Sequence, residues 1–185
     1  MLTRFTPEGN KACLADYFKV PSDVYPVGRL DYDSEGLLIL TNDKTLNQQL
    51  LLPQHAHERE YWVQVDGAVT AEAVEQLAAG VQINVDGKMY RTKRCRAEIF
   101  EEEPLLPPRN PPIRFRKSIP APWIRMVLQE GKNRQVRRMT AAVGFPTLRL
   151  VRYRMEDITI AGMQSGEMVE MSKEEIYRKL KLRAK

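Results

Sequence analysis

The segment from residue 28 to residue 36 concentrates groups that can do chemistry. Its nine residues include two glycines, one arginine and three carboxylates: Gly28, Gly36, Arg29, Asp31, Asp33 and Glu35. Glycines permit tight turns and the close approach of a ligand, Arg29 can contact a phosphate, and a carboxylate can attack or assist at a sugar carbon. A charged surface loop, in which Asp33 or Ser34 only caps a turn, fits the same residues equally well.

A second group of candidate residues lies between Glu130 and Met139. A helix starting near residue 134 would bury Val136, Met139 and Val143. It would then expose three arginines: Arg134, Arg137 and Arg138. Within the helix, acidic partners at i±4 are missing, so these cations have no local ion pairs, and guanidinium groups suit a phosphate backbone. An ordinary solvated helix face is the alternative.

Charge is unevenly distributed along the chain, whose net charge is +5. Residues 1–60 hold six Lys and Arg against nine Asp and Glu, whereas residues 109–154 hold twelve against a single acid, Glu130. A block this basic repels itself unless a counter-charge lies against it, and nucleic acid is the usual candidate. A solvated basic face is the plainer interpretation.

Three segments in order resemble motifs of a known family. The run Gly-Arg-Leu-Asp-Tyr-Asp-Ser-Glu-Gly at 28–36 resembles the catalytic aspartate motif of the ribosomal RNA pseudouridine synthases of the RsuA type. Residues 59–65 resemble their Lys-x-Tyr-x-Val motif, with arginine at position 59, and residues 130–139 resemble their third motif. Residues 109–120 are similar to the subgroup that modifies one uridine in 23S rRNA of the large subunit.

The resemblance implies an isomerase that breaks the C1′–N1 bond of a uridine, turns the uracil and rejoins it through C5. Asp31 would be the catalytic carboxylate, acting through a sugar adduct or by taking a proton on the way to a glycal. Tyr61 would stack beneath the base and take part in removing the C5 proton, and Lys132 would form an ion pair with Asp31. Leu150 would pack on the uracil, and Arg29 would hold phosphate and help displace the base. The reaction needs no cofactor and no metal.

Access to a base inside structured RNA implies base flipping. By the same resemblance, the flanking RNA backbone would be held by Arg134, Gln135, Arg137 and Arg138 together with the loop residues Arg109, Arg114, Arg116 and Lys117.

Periodicity predicts an α+β fold with a mixed, mainly antiparallel sheet and flanking helices. Predicted helices cover residues 11–18 with Asn10 as N-cap, 43–52, 70–80, 134–143 and a terminal segment after Ser172. Predicted strands cover residues 37–40, 61–65, 81–85, 88–99, 123–128 and 148–153, and residues 101–122 form a long loop.

The chain is expected to form one pseudouridine synthase catalytic domain over residues 1–185, with two lobes around an RNA-binding cleft. It starts where the family's first strand should have ended, so that strand is expected to be missing, as is a separate N-terminal RNA-binding domain. Without an export signal or membrane span, we expect a cytoplasmic monomer whose partner is ribosomal RNA. His55 and His57 lack a third metal ligand nearby, and Cys13 and Cys95 are expected to be free thiols.

Two further hypotheses fit parts of the sequence. The first is a ribosome-binding or assembly protein that has only the basic surface and no catalytic activity. Its RNA binding would not depend on Asp31. A glycoside hydrolase is suggested by Asp31, Asp33 and Glu35, and it would need a second carboxyl group facing Asp31 across a sugar pocket.

Overall fold

The computed structural model describes residues 1–113, 116 and 118–183. Two predicted RNA contacts, Arg114 and Lys117, lie outside the described residues. The strands are β1 (Tyr25–Pro26), β2 (Glu35–Gly36), β3 (Leu40–Thr41), β4 (Arg59–Val65), β5 (Gln82–Val85), β6 (Lys88–Arg91), β7 (Arg96–Ile99), β8 (Trp123–Leu128), β9 (Thr147–Met155) and β10 (Ile158–Thr159). The helices are α1 (Lys44–Leu51), α2 (Ala71–Ala79), α3 (Gln135–Ala142) and α4 (Lys173–Lys179).

The largest sheet has six strands in the order β10-β9-β4-β8-β7, and β2 pairs with β9 as well. The β2–β9 pairing is parallel, and the other pairings in this sheet are antiparallel. Two small antiparallel pairs, β1 with β3 and the hairpin β5–β6, accompany it. The prediction of an α+β fold with a mixed, mainly antiparallel sheet is therefore confirmed.

Three of the four α-helices in the described part of the chain begin after a residue whose side chain caps the first turn, and only α3, preceded by Arg134, has no such cap. The Thr70 hydroxyl accepts a hydrogen bond from the Ala73 amide at the start of α2, and the Ser172 hydroxyl accepts one from the Glu175 amide at the start of α4. Gly80, with φ of 88°, directly follows α2. None of the helices in the described ranges is long and apolar enough to cross a membrane.

Two local predictions fail where distant segments compete for backbone groups. The predicted helix over residues 11–18 is wrong, because only the 3-10 turn Leu14–Asp16 forms there. The Leu14 amide donates to the Arg4 carbonyl, and Leu2 bridges to Cys13, so residues 12 and 13 stay extended. The predicted strand 37–40 is interrupted. The pairing with β9 ends with β2 at Gly36, and pairing with β1 starts only at Leu40, in β3.

Two clusters of buried side chains form the core. The first packs α2 and α3 against the sheet and includes Val63, Leu77, Ile124, Met139 and Leu150. The second packs α1 and α4 near the end of β9 and includes Val27, Leu46, Leu50, Met155, Tyr177 and Leu180. The segment that carries Asp31 runs between Val27 of the second cluster and β2 at the edge of the sheet.

Asp43 ties α1 to α4 and makes the second cluster sensitive to acid. Partial burial raises the pKa of Asp43, but hydrogen bonds from the Leu46 amide, the Tyr177 hydroxyl and Lys173 outweigh that effect and bring it to about 2. The carboxylate therefore stabilises the fold fully above its unfolded pKa of 3.8, and this contribution is lost as pH falls towards 2.

Asp43→Asn is expected to lower the free energy of unfolding by about 1–2 kcal/mol at pH 7, because asparagine can still cap the helix but lacks the charge that strengthens the hydrogen bonds from Tyr177 and Lys173. The difference between variant and wild type should shrink between pH 4 and pH 2 in urea titrations. Asp23→Asn, at an exposed position, is the control and should leave stability unchanged. A difference that persists undiminished at pH 2 would contradict this role.

Candidate active site

A cleft of about 460 Å³ opens between the two core clusters. Its walls include Val27, Leu50 and Met155 of the second cluster and Leu128, Val136 and Leu150 of the first. Seven of the predicted site residues line it: Arg29, Asp31, Tyr61, Lys132, Arg134, Gln135 and Leu150. Three elements distant in sequence, the 28–36 segment, β4 and the start of α3, thus meet at one cavity.

Backbone contacts hold Asp31 at the cleft. The Thr3 hydroxyl accepts a hydrogen bond from the Leu30 amide at 3.1 Å and donates one to the Leu30 carbonyl at 3.0 Å. The Ser34 amide donates to the Asp31 carbonyl at 2.9 Å, which closes a turn around the carboxylate. Gly28 enters this turn with φ of 69°, a left-handed conformation that glycine adopts without strain. The Asp31 side chain is 22% exposed.

Thr3→Val is expected to loosen this turn, because both polar groups of Leu30 lose their partner while the side-chain shape is kept. We expect stability to fall by about 1 kcal/mol and turnover by roughly 10-fold, since misplacing a catalytic group weakens catalysis steeply. Urea unfolding and single-turnover rates on RNA measure the two effects. Thr3→Ser keeps the hydroxyl and should behave as wild type, and equal losses in both variants would argue against the hydrogen bonds.

The predicted ion pair between Lys132 and Asp31 is wrong in this structure. The cation beside Asp31 is Arg134, whose Nη1 lies 3.7 Å from Asp31 Oδ2. Arg134 precedes α3 in a left-handed conformation, with φ of 50°. The Lys132 ammonium instead lies 4.9 Å from the centre of the Tyr90 ring, a cation–π contact.

Arg134, Arg137 and Arg138, at the start of α3, contact other residues of the protein. Arg134 binds both carboxylate oxygens of Asp33, at 3.0 and 2.9 Å, and Arg137 donates to the Asp33 carbonyl at 2.7 Å. The hydrogen bonds from Arg134, with the charge of Arg137, hold the pKa of Asp33 below its usual value against the opposing effect of burial. Arg138 donates to the Asn84 carbonyl of the β5–β6 hairpin. Arg134 and Arg137 thus form ion pairs with acids that are distant in sequence, which the search for local partners could not reveal.

Gln135, predicted to contact RNA, is buried and bonded internally. Its side-chain oxygen accepts from the Lys132 amide at 2.9 Å, and its amide nitrogen donates to Glu130 at 2.6 Å. Glu130 also accepts from the Lys93 amide and the Tyr90 hydroxyl, which raises the pKa of Tyr90 to about 12. Gln135 and Glu130 therefore fix the backbone at Lys132, and Gln135 leaves no polar group for an RNA strand.

The basic block is largely neutralised by acids elsewhere in the chain. Arg149 forms two hydrogen bonds with Glu35, at 2.9 and 3.0 Å, and Arg154 binds Glu58 and Glu60. Two predicted RNA contacts in the long loop, Arg109 and Arg116, lie 3.7 Å from Glu35 and from Asp66. The excess charge of residues 109–154 therefore does not by itself require an outside polyanion. Among the described residues, four cleft cations have no carboxylate within 4 Å: Arg29, Arg59, Lys132 and Arg152.

Tyr61 and Leu150 lie on neighbouring strands at the cleft. In the antiparallel β4–β9 pairing, Tyr61 faces Arg152 and Val63 faces Leu150. Residues in register and two apart along a strand share one face of a sheet. Tyr61, Leu150 and Arg152 consequently form one wall, and all three line the cleft.

Three cleft residues have a buried polar atom without a hydrogen-bond partner among the described residues: Ser34 Oγ, His57 Nε2 and Arg152 Nη2. Unpaired buried polar groups are rare in native proteins and each asks for an explanation, such as a ligand. Sequence reasoning missed His57 and Arg152 as site residues. The signal for Arg152 was its position two residues after Leu150 on the same strand, which places both side chains on one face.

The protein-family model described as RNA pseudouridylate synthase matches residues 8–142. The chain belongs to this family. It is therefore an RNA pseudouridine synthase, and the prediction of an enzyme is confirmed. The matched span includes Asp31, Tyr61 and Lys132 and ends before Leu150. The glycoside hydrolase hypothesis is wrong, and two of the carboxylates that suggested it, Asp33 and Glu35, are paired with arginines.

Several pseudouridine synthases are similar to this chain over most of its length. The ribosomal large subunit pseudouridine synthase E of Vibrio parahaemolyticus is 48% identical over 170 residues, which are 92% of this chain and 69% of the relative. The enzyme of the same name from Xanthomonas axonopodis pv. citri is 50% identical over 147 residues, or 80% and 75% of the two chains. The dual-specificity RNA pseudouridine synthase RluF of Escherichia coli is 32% identical over 177 residues, or 96% and 53%.

A solved structure supports the same fold. The crystal structure of a pseudouridylate synthase superimposes with a TM-score of 0.72 and 25% identity, covering 90% of this chain and 65% of that chain. The predicted pseudouridine synthase fold is confirmed by this similarity.

Proposed function

We propose that this enzyme isomerises a specific uridine in large-subunit (23S) ribosomal RNA to pseudouridine, with Asp31 as the catalytic carboxylate. The observation that carries the proposal is the cleft itself, whose lining combines a carboxylate fixed by a tight turn with an aromatic and an aliphatic side chain on adjacent strands. The relatives named large subunit pseudouridine synthase E support the choice of RNA.

The proposed reaction assigns one task to each cleft residue. Asp31 acts at the sugar while the C1′–N1 bond breaks, either by bonding to C1′ or by taking a proton from C2′. Tyr61 stacks beneath the uracil and takes part in removing the C5 proton after the base has turned. Leu150 packs on the ring, so the free base stays in the cleft until C5 joins C1′.

A cation lies next to Asp31. The Arg134 guanidinium is 3.7 Å from the Asp31 carboxylate. In place of the pair predicted with Lys132, we propose that Arg134 stabilises Asp31 and that Lys132 and Arg29 bind the phosphates beside the flipped nucleotide. Arg134 can move to RNA only by leaving Asp33, so it is a less available phosphate contact than predicted.

The surface around the cleft is proposed to bind the rest of the RNA. Arg109, Arg116, Arg137 and Arg138 lie outside the cleft lining among the described residues, and each already contacts the protein. To bind RNA, each of these arginines would have to release its partner within the protein and bind a phosphate instead. Arg114 and Lys117 remain predicted contacts. We propose that the enzyme acts as a monomer in the cytoplasm, where its RNA substrate is found.

Incubation with unmodified 23S and 16S rRNA, followed by mapping of pseudouridine at nucleotide resolution, tests the proposal. We expect complete conversion at one position of 23S rRNA and none in 16S rRNA. Conversion of 16S rRNA alone would contradict the proposed substrate, and conversion of neither RNA, naked or assembled into subunits, would contradict the proposed function.

A further inference from the structure

Arg152 is a buried arginine whose charge has no counter-ion. Its residue is 5% exposed, within β9 at the wall of the cleft. Its Nε donates to the Leu37 carbonyl at 2.8 Å, and its Nη2 has no hydrogen-bond partner among the described residues. No carboxylate in the described ranges lies within 4 Å of it, whereas the neighbouring Arg149 and Arg154 each bind a glutamate.

A buried charge without a counter-ion destabilises the protein when no ligand is bound. A buried charge loses its hydration, and this cost is normally offset by an ion pair or by complete hydrogen bonding. Burial accordingly lowers the pKa of the Arg152 guanidinium; the adjacent Tyr61 side chain opposes this shift and Arg59 adds to it. The group stays protonated, because arginine does not lose its proton in proteins. An anionic ligand in the cleft would supply the missing partner.

The position of Arg152 indicates which part of a ligand it meets. It faces Tyr61 across the β4–β9 pairing and lies two residues from Leu150 on the same strand. Both of these residues are proposed to hold the uracil ring. Its backbone also fixes the segment that carries Asp31, since the Leu37 amide donates to the Arg152 carbonyl at 2.8 Å. Arg152 is therefore held rigidly beside the base, in contrast to the exposed Arg29 and Lys132.

We propose that Arg152 is a catalytic residue that binds the uracil anion released when the C1′–N1 bond breaks. This inference rests on the proposed function. In that step the bonding electron pair leaves with N1, and the negative charge is shared among N1, O2 and O4 of the free base. The guanidinium binds this anion through its unpaired N–H, and the ring turns without leaving the cleft. When C5 bonds to C1′, the C5 proton is lost and N1 regains a proton, so the charge on the base disappears.

Single-turnover rates of Arg152→Gln and Arg152→Lys test the proposal. Glutamine keeps an N–H group near the Leu37 carbonyl but removes the charge. We expect Arg152→Gln to slow pseudouridine formation by about 10²–10³-fold, the effect of losing one donor to a developing anion. Its affinity for RNA should stay within about 3-fold of wild type, because the anion exists only after bond cleavage. Arg152→Lys should recover part of the rate.

A leaving-group comparison separates this role from a structural one. RNA that carries 5-fluorouridine at the target releases a more stable anion, which needs less help from a cation. The ratio of the 5-fluorouridine cleavage rate to the uridine rate should therefore be at least about 10-fold larger in Arg152→Gln than in wild type. Arg154→Gln, which removes a half-buried arginine of the same strand, is the control and should leave this ratio unchanged. Circular dichroism checks the folded fraction of each variant.

The results distinguish a failure of the role proposed for Arg152 from a failure of the proposed function. An unchanged ratio or an unchanged rate in folded Arg152→Gln would overturn the role of Arg152 while leaving the proposed function intact. If Arg152→Gln does not fold, Arg152→Lys decides, since its shorter ammonium should slow the reaction and raise the ratio; wild-type values for both would overturn the proposal. An inactive wild type on every RNA would instead refute the proposed function.

Discussion

Replacing Asp31 by asparagine is expected to lower the single-turnover rate of pseudouridine formation by at least about 10³-fold. Loss of a catalytic group that acts directly on the sugar removes transition-state stabilisation of this size. Asparagine has nearly the same shape and leaves the backbone turn held by Thr3 and Ser34 in place. Rapid mixing of excess enzyme with unmodified large-subunit rRNA, followed by quantification of pseudouridine, gives the rate.

RNA affinity distinguishes this loss from a failure to bind. We expect Asp31→Asn to bind the rRNA as tightly as wild type in filter-binding assays, because Asp31 repels phosphate and contributes no positive charge. Asp157→Asn, at an exposed ion pair with Lys181, is the matched control and should keep the full rate. Wild-type turnover by Asp31→Asn would exclude Asp31 as the catalytic carboxylate.

Gly36→Ala is expected to destabilise the protein by about 3 kcal/mol or more and to abolish activity in the fraction that folds. A Cβ atom at this position would lie 2.3 Å from the Arg152 carbonyl oxygen and 2.7 Å from its amide nitrogen. These are backbone atoms of β9 and cannot move aside cheaply. The parallel β2–β9 pairing would have to separate, which would displace the Asp31 segment and Arg152 together.

Gly166→Ala is the control for this prediction. Gly166 also has a positive φ, of 81°, but a Cβ there meets nothing within 4 Å. Gly166→Ala should therefore lower the free energy of unfolding only through backbone strain, by about 1 kcal/mol, and should leave activity unchanged. Urea unfolding of both variants measures the difference, and equal destabilisation would show that the close approach of β2 to β9 is not the constraint.

Much of the fold could be predicted from local patterns. The α2 and α4 helices follow from the capping residues Thr70 and Ser172, and the β5–β6 hairpin follows from Asp86-Gly87. The 11–18 segment could not be predicted, because the Leu14 amide donates to the Arg4 carbonyl and the Ala12 carbonyl accepts from the Leu2 amide, contacts that no local pattern reveals.

The sequence predicted most residues of the candidate site but not the ion pairs and hydrogen bonds that they form. The motifs place Asp31, Tyr61 and Lys132 at one cleft, as found. Helical spacing, however, reports only neighbours within a few residues, whereas the partners of Arg134 and Arg149 lie more than 100 residues away. Gln135 is held by the nearby Glu130, but Glu130 is itself bonded to Tyr90 of β6, 40 residues away. Arg152 could be recognised only after the register of β4 and β9 had shown it opposite Tyr61.

Release of tritium from large-subunit rRNA labelled at C5 of uridine tests the central claim most directly, because isomerisation through C5 must expel that hydrogen. We expect wild-type enzyme to release one equivalent of tritium per RNA molecule and then stop, and Asp31→Asn to release none over the same time. Absence of release by the wild type, or equal release by Asp31→Asn, would contradict that claim.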